Sequence, residues 1–413
     1  MRPAALAAAL ALASIPVAAY ADSPEGGEMA EWRAVDAETG KIADIEGIEQ
    51  LARDFPDSGS VRLRLLNAQL GAGQLDAALE TLAWLKARGH VFSAAAQAQI
   101  PQLVGESHAE AARALLLPEA EPVEASEVIA AVPAEAGLIE SVFAAPAGDT
   151  LIATSVTRQA LWIREAGDWR RVDLALADDL SGILQDPTHN IGWIASSNID
   201  GSEQDETRFS GLIGLGPLDA RLYAAAPEGV RVSDLAIGPD GTVYASDPLS
   251  GGVYTKGVWA EDLTVLVQPG TFRSPQGLAV SEDGARLYLS DYRYGLAMID
   301  LATGRVARLE SDVPVLLDGI DGLWRSGSEL IAMQNGASPM RIAAFTLSAD
   351  GKRIVAARVL EQAHPDWTEP LGGSIAEDAL VYVATGQWDR YDKGQPVEGK
   401  PPLPTQIRRL PLD

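Results

Sequence analysis

The stretch PQGLAVSEDGARLYLSD, residues 275–291, decides the fold of most of this chain. Each of its two halves alternates apolar residues with small or polar ones, and Glu282-Asp283-Gly284 lies between them. Alternation with a period of two is typical of a β-strand with one buried face, and an Asp-Gly pair between two such runs is a strong turn signal. The stretch therefore predicts two antiparallel strands joined by a tight turn.

The same strand-turn-strand unit occurs six times after residue 137, about every 40 to 50 residues. Further alternating runs follow each copy, so that one unit amounts to four strands. This period indicates a mainly β fold, a six-bladed β-propeller over residues 137–413. Seven blades is the alternative, because two intervals are long enough to hold further strands, whereas a β-sandwich does not predict a regular repeat. The first strands of the six copies begin near Glu140, Ser181, Ser233, Gln276, Asp321 and Gly372.

The N-terminus has the pattern of an export signal. Arg2 is followed by an apolar, Ala-rich run, and Ala19-Tyr20-Ala21 is a small-x-small cleavage site before a polar segment. The pattern predicts a secretory signal peptide at residues 1–21, and hence an exported protein, periplasmic if its source is Gram-negative. A membrane anchor is the alternative, but it needs about 20 apolar residues and Pro16 weakens it. We expect no membrane span after cleavage.

A helical region is predicted between the signal and the propeller. Residues 28–117 carry apolar side chains three and four positions apart, which indicates several short helices. Within them, residues 73–78 (GQLDAA) resemble part of a tetratricopeptide unit. One such unit cannot bury its own apolar face, so we expect a helical cap or an arm that docks a partner protein, with a helical hairpin that has no partner as the alternative. Residues 118–136 are rich in Pro and Glu, which is typical of a linker.

Composition and missing motifs exclude several function classes. The chain has 32 Lys and Arg residues against 58 Asp and Glu residues, a formal net charge of −26, which argues against nucleic-acid binding. It contains no cysteine, so disulfides, thiolate metal sites and cysteine nucleophiles are excluded. The sequence also lacks a phosphate loop, a Gly-x-Ser-x-Gly elbow and a His-Glu-x-x-His motif.

Polar residues gather at one end of the predicted blades. Because the first two strands of a unit run antiparallel, the start of the first and the end of the second lie at the same end. The residues there are mainly Asp, Glu, Asn, Gln and Ser, whose oxygens suit Ca²⁺ or Mg²⁺. None of these positions holds a His, which argues against zinc or copper. The sequence therefore predicts a site for a hard divalent cation, and Ca²⁺ is the ion we expect.

The chain resembles the senescence marker protein and gluconolactonase family of six-bladed propellers, which includes strictosidine-synthase-like relatives. The resemblance spans residues 137–412 and is carried by Glu140, by Asp321-Gly322 and by the stretch quoted first. It implies one divalent cation in the central channel, held by a Glu, two Asn and an Asp, which polarises a lactone carbonyl while an acidic residue activates water. By that resemblance Glu140 and Asp321 are metal ligands, and Ser233 and Gln276 stand at the two Asn positions.

These two departures leave the ligand geometry to be rebuilt, because Ser is shorter and Gln longer than Asn; Asp234 or Asn198 could substitute. Asp247 or Asp291 is the candidate general base, and the alternative for both is a turn residue that accepts hydrogen bonds from loop amides. The leading hypothesis is a metal-dependent hydrolase of lactones or related sugar-like esters. The alternative is a non-catalytic propeller that binds a protein or a glycan, with the helical region as docking element.

The last blade carries a long Pro-rich insertion that begins at Trp388-Asp389 and runs to Pro404. Its position predicts that it covers the mouth of the channel. A lid and a disordered loop are the two interpretations.

Overall fold

Six antiparallel sheets follow one another along the chain in the computed structural model, which describes residues 30–146, 150–203 and 207–413. They confirm the six-bladed β-propeller. Within the described residues, the two long intervals hold extended loops and a long outer strand rather than a seventh sheet. The predicted signal peptide, residues 1–21, lies outside the described ranges.

The strands of each blade run from the channel outward, as the pairing within each sheet shows. Blade 1 comprises Ile139–Ala144, Leu151–Ser155, Ala160–Glu165 and Asp168–Asp173; blade 2 comprises Leu180–Asp186, Ile191–Ser196, Gly211–Leu215 and Arg221–Ala225; blade 3 comprises Leu235–Ile237, Val243–Asp247, Gly252–Lys256 and Thr264–Val267. Blade 4 comprises Pro275–Val280, Arg286–Asp291, Gly295–Asp300 and Val306–Arg308; blade 5 comprises Gly322–Ser326, Glu329–Gln334, Arg341–Leu347 and Arg353–Gln362, with Glu310–Ser311 added in parallel at its outer edge. Blade 6 comprises Gly373–Ala376, Ala379–Val383, Thr405–Pro411 and Glu127–Val132, and its insertion holds a small hairpin of Tyr391–Asp392 and Gln395–Pro396.

Blade 6 closes the ring with strands from both ends of the propeller chain. Its outer strand, Glu127–Val132, pairs antiparallel with Thr405–Pro411. This strand lies inside the segment predicted as a linker, residues 118–136. It alternates along part of its length, with Ala130 and Val132 buried and the residue between them exposed. The N-terminal side of the chain is therefore part of the propeller and not only a connection to it.

Five α-helices precede the propeller in the described chain. In α2 and α3, which form the hairpin compared above with a tetratricopeptide unit, Leu66, Ala78 and Leu82 are buried in one cluster. Gly73 in the turn between them has a φ of 71°, which glycine adopts without strain. No helix among the described residues has the length and apolar character needed to cross a membrane. The helices are Ile45–Asp54 (α1), Gly59–Gly71 (α2), Leu75–Ala87 (α3), Ala94–Leu103 (α4) and Glu106–Leu115 (α5).

The helical region is packed onto the propeller. Trp32 and Phe55 belong to the same buried cluster as Phe272 and Tyr294 of the propeller loops, and the rings of Phe55 and Tyr294 lie 4.8 Å apart. Asp318 of a propeller loop accepts hydrogen bonds from the first two backbone amides of α2, at 2.8 and 2.6 Å. These loops lie at the end of the blades where the first strands begin, which we call the site face. The helices therefore border the same face as the predicted site.

Candidate active site in the central channel

The innermost strands approach each other closely around the channel because glycines lie at their contact points. The backbone amide of Gly372 donates to the carbonyl of Glu140 at 3.0 Å, and that of Gly277 donates to Asp321 at 2.8 Å. A Cβ atom at Gly277 would lie 2.3 Å from a backbone nitrogen of the next blade. Gly182 makes the same bond to Ser233 at 2.9 Å. Glu140, Ser233 and Asp321 thus hold equivalent positions in blades 1, 3 and 5.

Four carboxyl groups influence one another at the site face of the channel: those of Glu140, Asp234, Asp321 and Glu369. Burial raises the pKa of Asp234 to about 8, and the carboxylate of Asp321 adds to this shift. Burial and then Glu369 raise the pKa of Asp321 to about 7. Burial, followed by the charge of Asp321, holds the pKa of Glu140 well above its ordinary value. Among the described residues, none of these four carboxyl groups forms an ion pair with a lysine, arginine or histidine. When the groups ionise, they therefore repel one another without a compensating positive charge.

Hydrogen-bond donors orient two of these carboxylates. The indole Nε1 of Trp388 donates to Oε2 of Glu140 at 2.7 Å, so the insertion of blade 6 reaches the channel mouth as predicted. The amide Nδ2 of Asn335 donates to Oδ2 of Asp321 at 2.9 Å. The hydroxyl of Tyr292 donates in turn to Oδ1 of Asn335 at 2.9 Å, which fixes the amide orientation. Burial, followed by Asp321 and Glu369, raises the pKa of the Tyr292 phenol, so Tyr292 stays a neutral donor.

The two altered ligand positions have other partners. The amide of Gln276 donates to the hydroxyl of Ser274 at 3.1 Å, in the loop before blade 4. The backbone of Ser233 joins blades 2 and 3, and its neighbour Asp234 supplies the carboxyl group of the cluster. Asn198 donates to Ser202 within its own loop. The ligand roles of Ser233 and Gln276 stay predictions.

Asp247 and Asp291, the candidate bases, end the second strands of blades 3 and 4 and are fully buried. Both oxygens of Asp247 accept hydrogen bonds from its loops, including the amides of residues 231, 249 and 250 at 2.9 to 3.1 Å. Both oxygens of Asp291 accept amide hydrogen bonds as well, from residues 273, 274, 293 and 294 at 2.6 to 3.3 Å. Both carboxylates therefore have the hydrogen bonds expected of turn residues that accept from loop amides, which is the alternative to a catalytic role. A catalytic role for either carboxylate stays a prediction.

A cavity of about 210 Å³ lies between the innermost strands, with Asp234 in its wall. Asp234 is the single ionisable side chain of the described residues in its wall, and most of the other side chains there are apolar, including Phe143, Leu278 and Trp324. An apolar wall beside a few convergent polar groups is typical of small-molecule sites.

The donor set suits a hard divalent cation in its chemistry, because every group is an oxygen ligand and the ionised carboxylates have no positive partner in the described residues. Its geometry is open. Among the described residues, no three His, Cys, Asp or Glu side chains lie close enough together to hold an ion between them. Such an arrangement favours an ion that keeps part of its water and binds through one or two carboxylates at a time, as Mg²⁺ commonly does.

Sequence reasoning missed Glu369 and named Asp234 only as a substitute ligand. Glu369 precedes the first strand of blade 6 in a loop, where strand alternation gives no signal. Asn335 directly follows the second strand of blade 5, which is one of the strand ends where the sequence predicts polar residues. The signal for Glu369 was the Glu-Pro pair at 369–370, directly before an innermost strand.

No family model and no curated protein matches the chain. Solved structures do. A gluconolactonase from Xanthomonas campestris has 14% identity, covering 72% of this chain and 99% of its own, with a TM-score of 0.46. The calcium-binding protein regucalcin from Agrobacterium tumefaciens has 16% identity, and the match covers 68% of this chain and 93% of regucalcin with a TM-score of 0.46. A luciferin-regenerating enzyme has 14% identity, and the match covers 70% of this chain and 95% of the enzyme with a TM-score of 0.46.

These neighbours include gluconolactonase and regucalcin propellers. The sequence resembles the same family. At such low identity the six-bladed fold is established by the sheet topology of the chain itself, and any function has to be argued from its own residues.

Proposed function

We propose that this protein hydrolyses lactones or related esters in a reaction that depends on a divalent cation at the site face of the channel. The observation that carries the proposal is the set of four carboxyl groups at the channel mouth, without a positive partner and beside a small apolar cavity. A cluster of this kind is destabilised by its own charge, and a bound cation relieves that repulsion.

One or two of the carboxylates of Glu140, Asp234 and Asp321 would hold the cation at a time. When bound, it would polarise the lactone carbonyl and lower the pKa of a coordinated water. Trp388 and Asn335 donate hydrogen bonds to Glu140 and Asp321 and keep these carboxylates in place before substrate enters.

Glu369 is the general base in this proposal. It lies within the electrostatic reach of Asp321, and burial raises its pKa, which brings its basicity nearer to neutral pH. A carboxylate oxygen of Glu369 takes a proton from water as the water oxygen bonds to the carbonyl carbon. The ring C–O bond then breaks, and the same proton passes to the departing ring oxygen, so that lactone and water give one hydroxy acid.

The test uses the purified chain stripped with a chelator. Calorimetric titration with Ca²⁺, Mg²⁺, Mn²⁺ and Zn²⁺ measures binding, and proton release from δ-gluconolactone and other lactones measures turnover. We expect one cation site that Asp321→Asn abolishes together with turnover. Glu369→Gln should retain the cation and lose about 100-fold in rate. Asp168→Asn, which removes one exposed carboxylate on the outer strand of blade 1, serves as control.

Either of two results contradicts the proposal: no cation binds to the wild-type chain, or hydrolysis survives Asp321→Asn unchanged. Retained turnover in Glu369→Gln would remove that residue from the base role without affecting the cation site. Apolar residues of the helical region pack against the propeller, so we assign this region no role in docking a partner protein.

We also propose that the protein acts after export. The support is the pattern of residues 1–21, with its single cation, its apolar run and its small-x-small site. Expression of the full chain in a Gram-negative host, followed by N-terminal sequencing of the periplasmic fraction, should give a mature chain that begins at Asp22. A full-length chain retained in the cytoplasm would contradict this.

A further inference from the structure

A second cavity lies on the site face between the helical region and blade 4. Its volume is about 480 Å³, within the range of about 300 to 1,000 Å³ common for small-molecule sites. Three arginines, Arg64 of α2 and Arg273 and Arg293 of the blade 4 loops, line it together with Ser60 and Tyr294. We call it the arginine cavity.

Three arginines in one cavity contrast with a chain whose net charge is −26. Eleven other arginines of the described residues form ion pairs with Asp or Glu, but none of these three does. Arg64 donates to the carbonyl of Ile42 at 2.5 Å and lies near the hydroxyl of Tyr294. Within the described residues, the guanidinium groups of Arg273 and Arg293 have no hydrogen-bond acceptor. The guanidinium groups of the cavity are therefore not paired with a carboxylate of the described residues.

The fold holds the two loop arginines in place through Asp291. One oxygen of its buried carboxylate accepts a hydrogen bond from the backbone amide of Arg273 at 2.6 Å. The other oxygen accepts one from the backbone amide of Arg293 at 3.0 Å. Because these oxygens are used by backbone amides, Asp291 fixes the position of both loops without pairing with the guanidinium groups. Asp318 is occupied in the same way by the amides at the start of α2.

We infer that the arginine cavity binds the oxyanion group, phosphate or carboxylate, of a small molecule. A guanidinium group presents paired N–H donors that match two oxygens of a phosphate or carboxylate, and bonds between charged partners are the strong ones. The hydroxyls of Ser60 and Tyr294 supply neutral polar groups on the same wall. The inference does not depend on the proposed function, since the cavity shares no lining residue with the channel cavity.

The first test is calorimetric titration of the full chain with inorganic phosphate, D-gluconate and 6-phosphogluconate. We expect saturable one-site binding that weakens at least about tenfold in the Arg273→Gln, Arg293→Gln double variant. Arg113→Gln, an exposed arginine on α5, removes one charge elsewhere and should leave binding unchanged. If inorganic phosphate binds and D-gluconate does not, the site recognises phosphate. If D-gluconate binds and inorganic phosphate does not, the site recognises carboxylate.

A second test leaves the arginines intact. Gly40 lines the cavity, and a Cβ atom there would meet no other atom within 4 Å, so a side chain can begin there without a clash. Gly40→Glu and Gly40→Gln have nearly the same shape and differ by one negative charge. We expect the Glu variant to bind anions several-fold more weakly than the Gln variant. The inference is wrong if no probe saturates, if the double arginine variant binds as the wild type does, or if the two Gly40 variants bind equally.

Discussion

Replacing Asp234 with asparagine should stabilise the metal-free protein, by an amount that grows with pH. The pKa of Asp234 is raised to about 8 in the folded chain by burial and by Asp321. In the unfolded chain the group titrates near its ordinary value of 3.8. Below pH 3.8 the carboxyl group is protonated in both the folded and the unfolded state, so it does not change the free energy of unfolding. As pH rises toward 8, only the unfolded state gains by ionising, so the folded state loses stability, and the loss is complete above pH 8.

The magnitude follows from the two pKa values. At pH 7 the unfolded carboxyl is ionised while the folded one is still mainly protonated, which costs the folded state about 4 kcal/mol at about 1.4 kcal/mol per pKa unit. Asparagine keeps the shape and cannot ionise. We therefore expect Asp234→Asn to match the wild type near pH 4 and to exceed its unfolding free energy by about 4 kcal/mol at pH 7.

Urea unfolding followed by tryptophan fluorescence at pH 4.5, 6, 7 and 8.5, after removal of metal, measures this difference. Asp392→Asn is the matched control, because Asp392 is exposed, and its difference from the wild type should not change with pH. Saturating divalent cation should narrow the Asp234→Asn advantage, since a bound cation favours the ionised carboxylate. A difference that is the same at every pH, or a variant less stable than the wild type at pH 8.5, would refute the electrostatic reasoning.

Three further substitutions probe the site and its supports. Trp388→Phe keeps a ring but removes the donor to Glu140, so the acidic limb of the pH–rate profile should move up by about half to one pH unit. Asp318→Ala leaves one buried and one half-buried amide of α2 without an acceptor and should cost about 3 kcal/mol, measured as faster hydrogen exchange in α1 and α2. Val132→Ala, in the buried closing strand of blade 6, should cost about 2 kcal/mol in urea unfolding, whereas Val128→Ala on the half-exposed side of the same strand should change stability by less than about 0.5 kcal/mol.

Much of the fold was predictable because the innermost and second strands carry strong local signals. Five of the six predicted starts lie next to the first residue of an innermost strand, and Ser233 lies two residues before Leu235–Ile237. The closing strand Glu127–Val132 gave a weaker signal, since it is short, lies among prolines and acidic residues, and pairs with residues almost 280 positions away. Pairing across that separation leaves no pattern in either segment alone.

The candidate site was less predictable for a different physical reason. The first strands of blades 1, 2 and 4 have irregular register at their starts, between Ile139 and Ser141, Leu180 and Ile183, and Pro275 and Leu278. A β-bulge changes which of two consecutive side chains faces the channel, so alternation cannot decide between them. In blade 3 the backbones of Ser233 and Asp234 both bond to Ser246; the prediction favoured Ser233, whereas the next residue, Asp234, joins the carboxyl cluster.

Asp291 offers a test that separates a catalytic role from a positioning role. The loop that follows it places Tyr292 against Asn335 at the channel and Arg293 in the arginine cavity. Asp291→Asn can accept amide hydrogen bonds on one oxygen only, so this loop and the loop of Arg273 should loosen. Phosphate affinity should fall, as should cation affinity. Asp247→Asn makes the same change in blade 3 and should lower stability without altering phosphate affinity. If Asp291→Asn instead abolishes turnover while both affinities and the stability are unchanged, Asp291 takes part in the chemistry as a base, as the sequence analysis predicted.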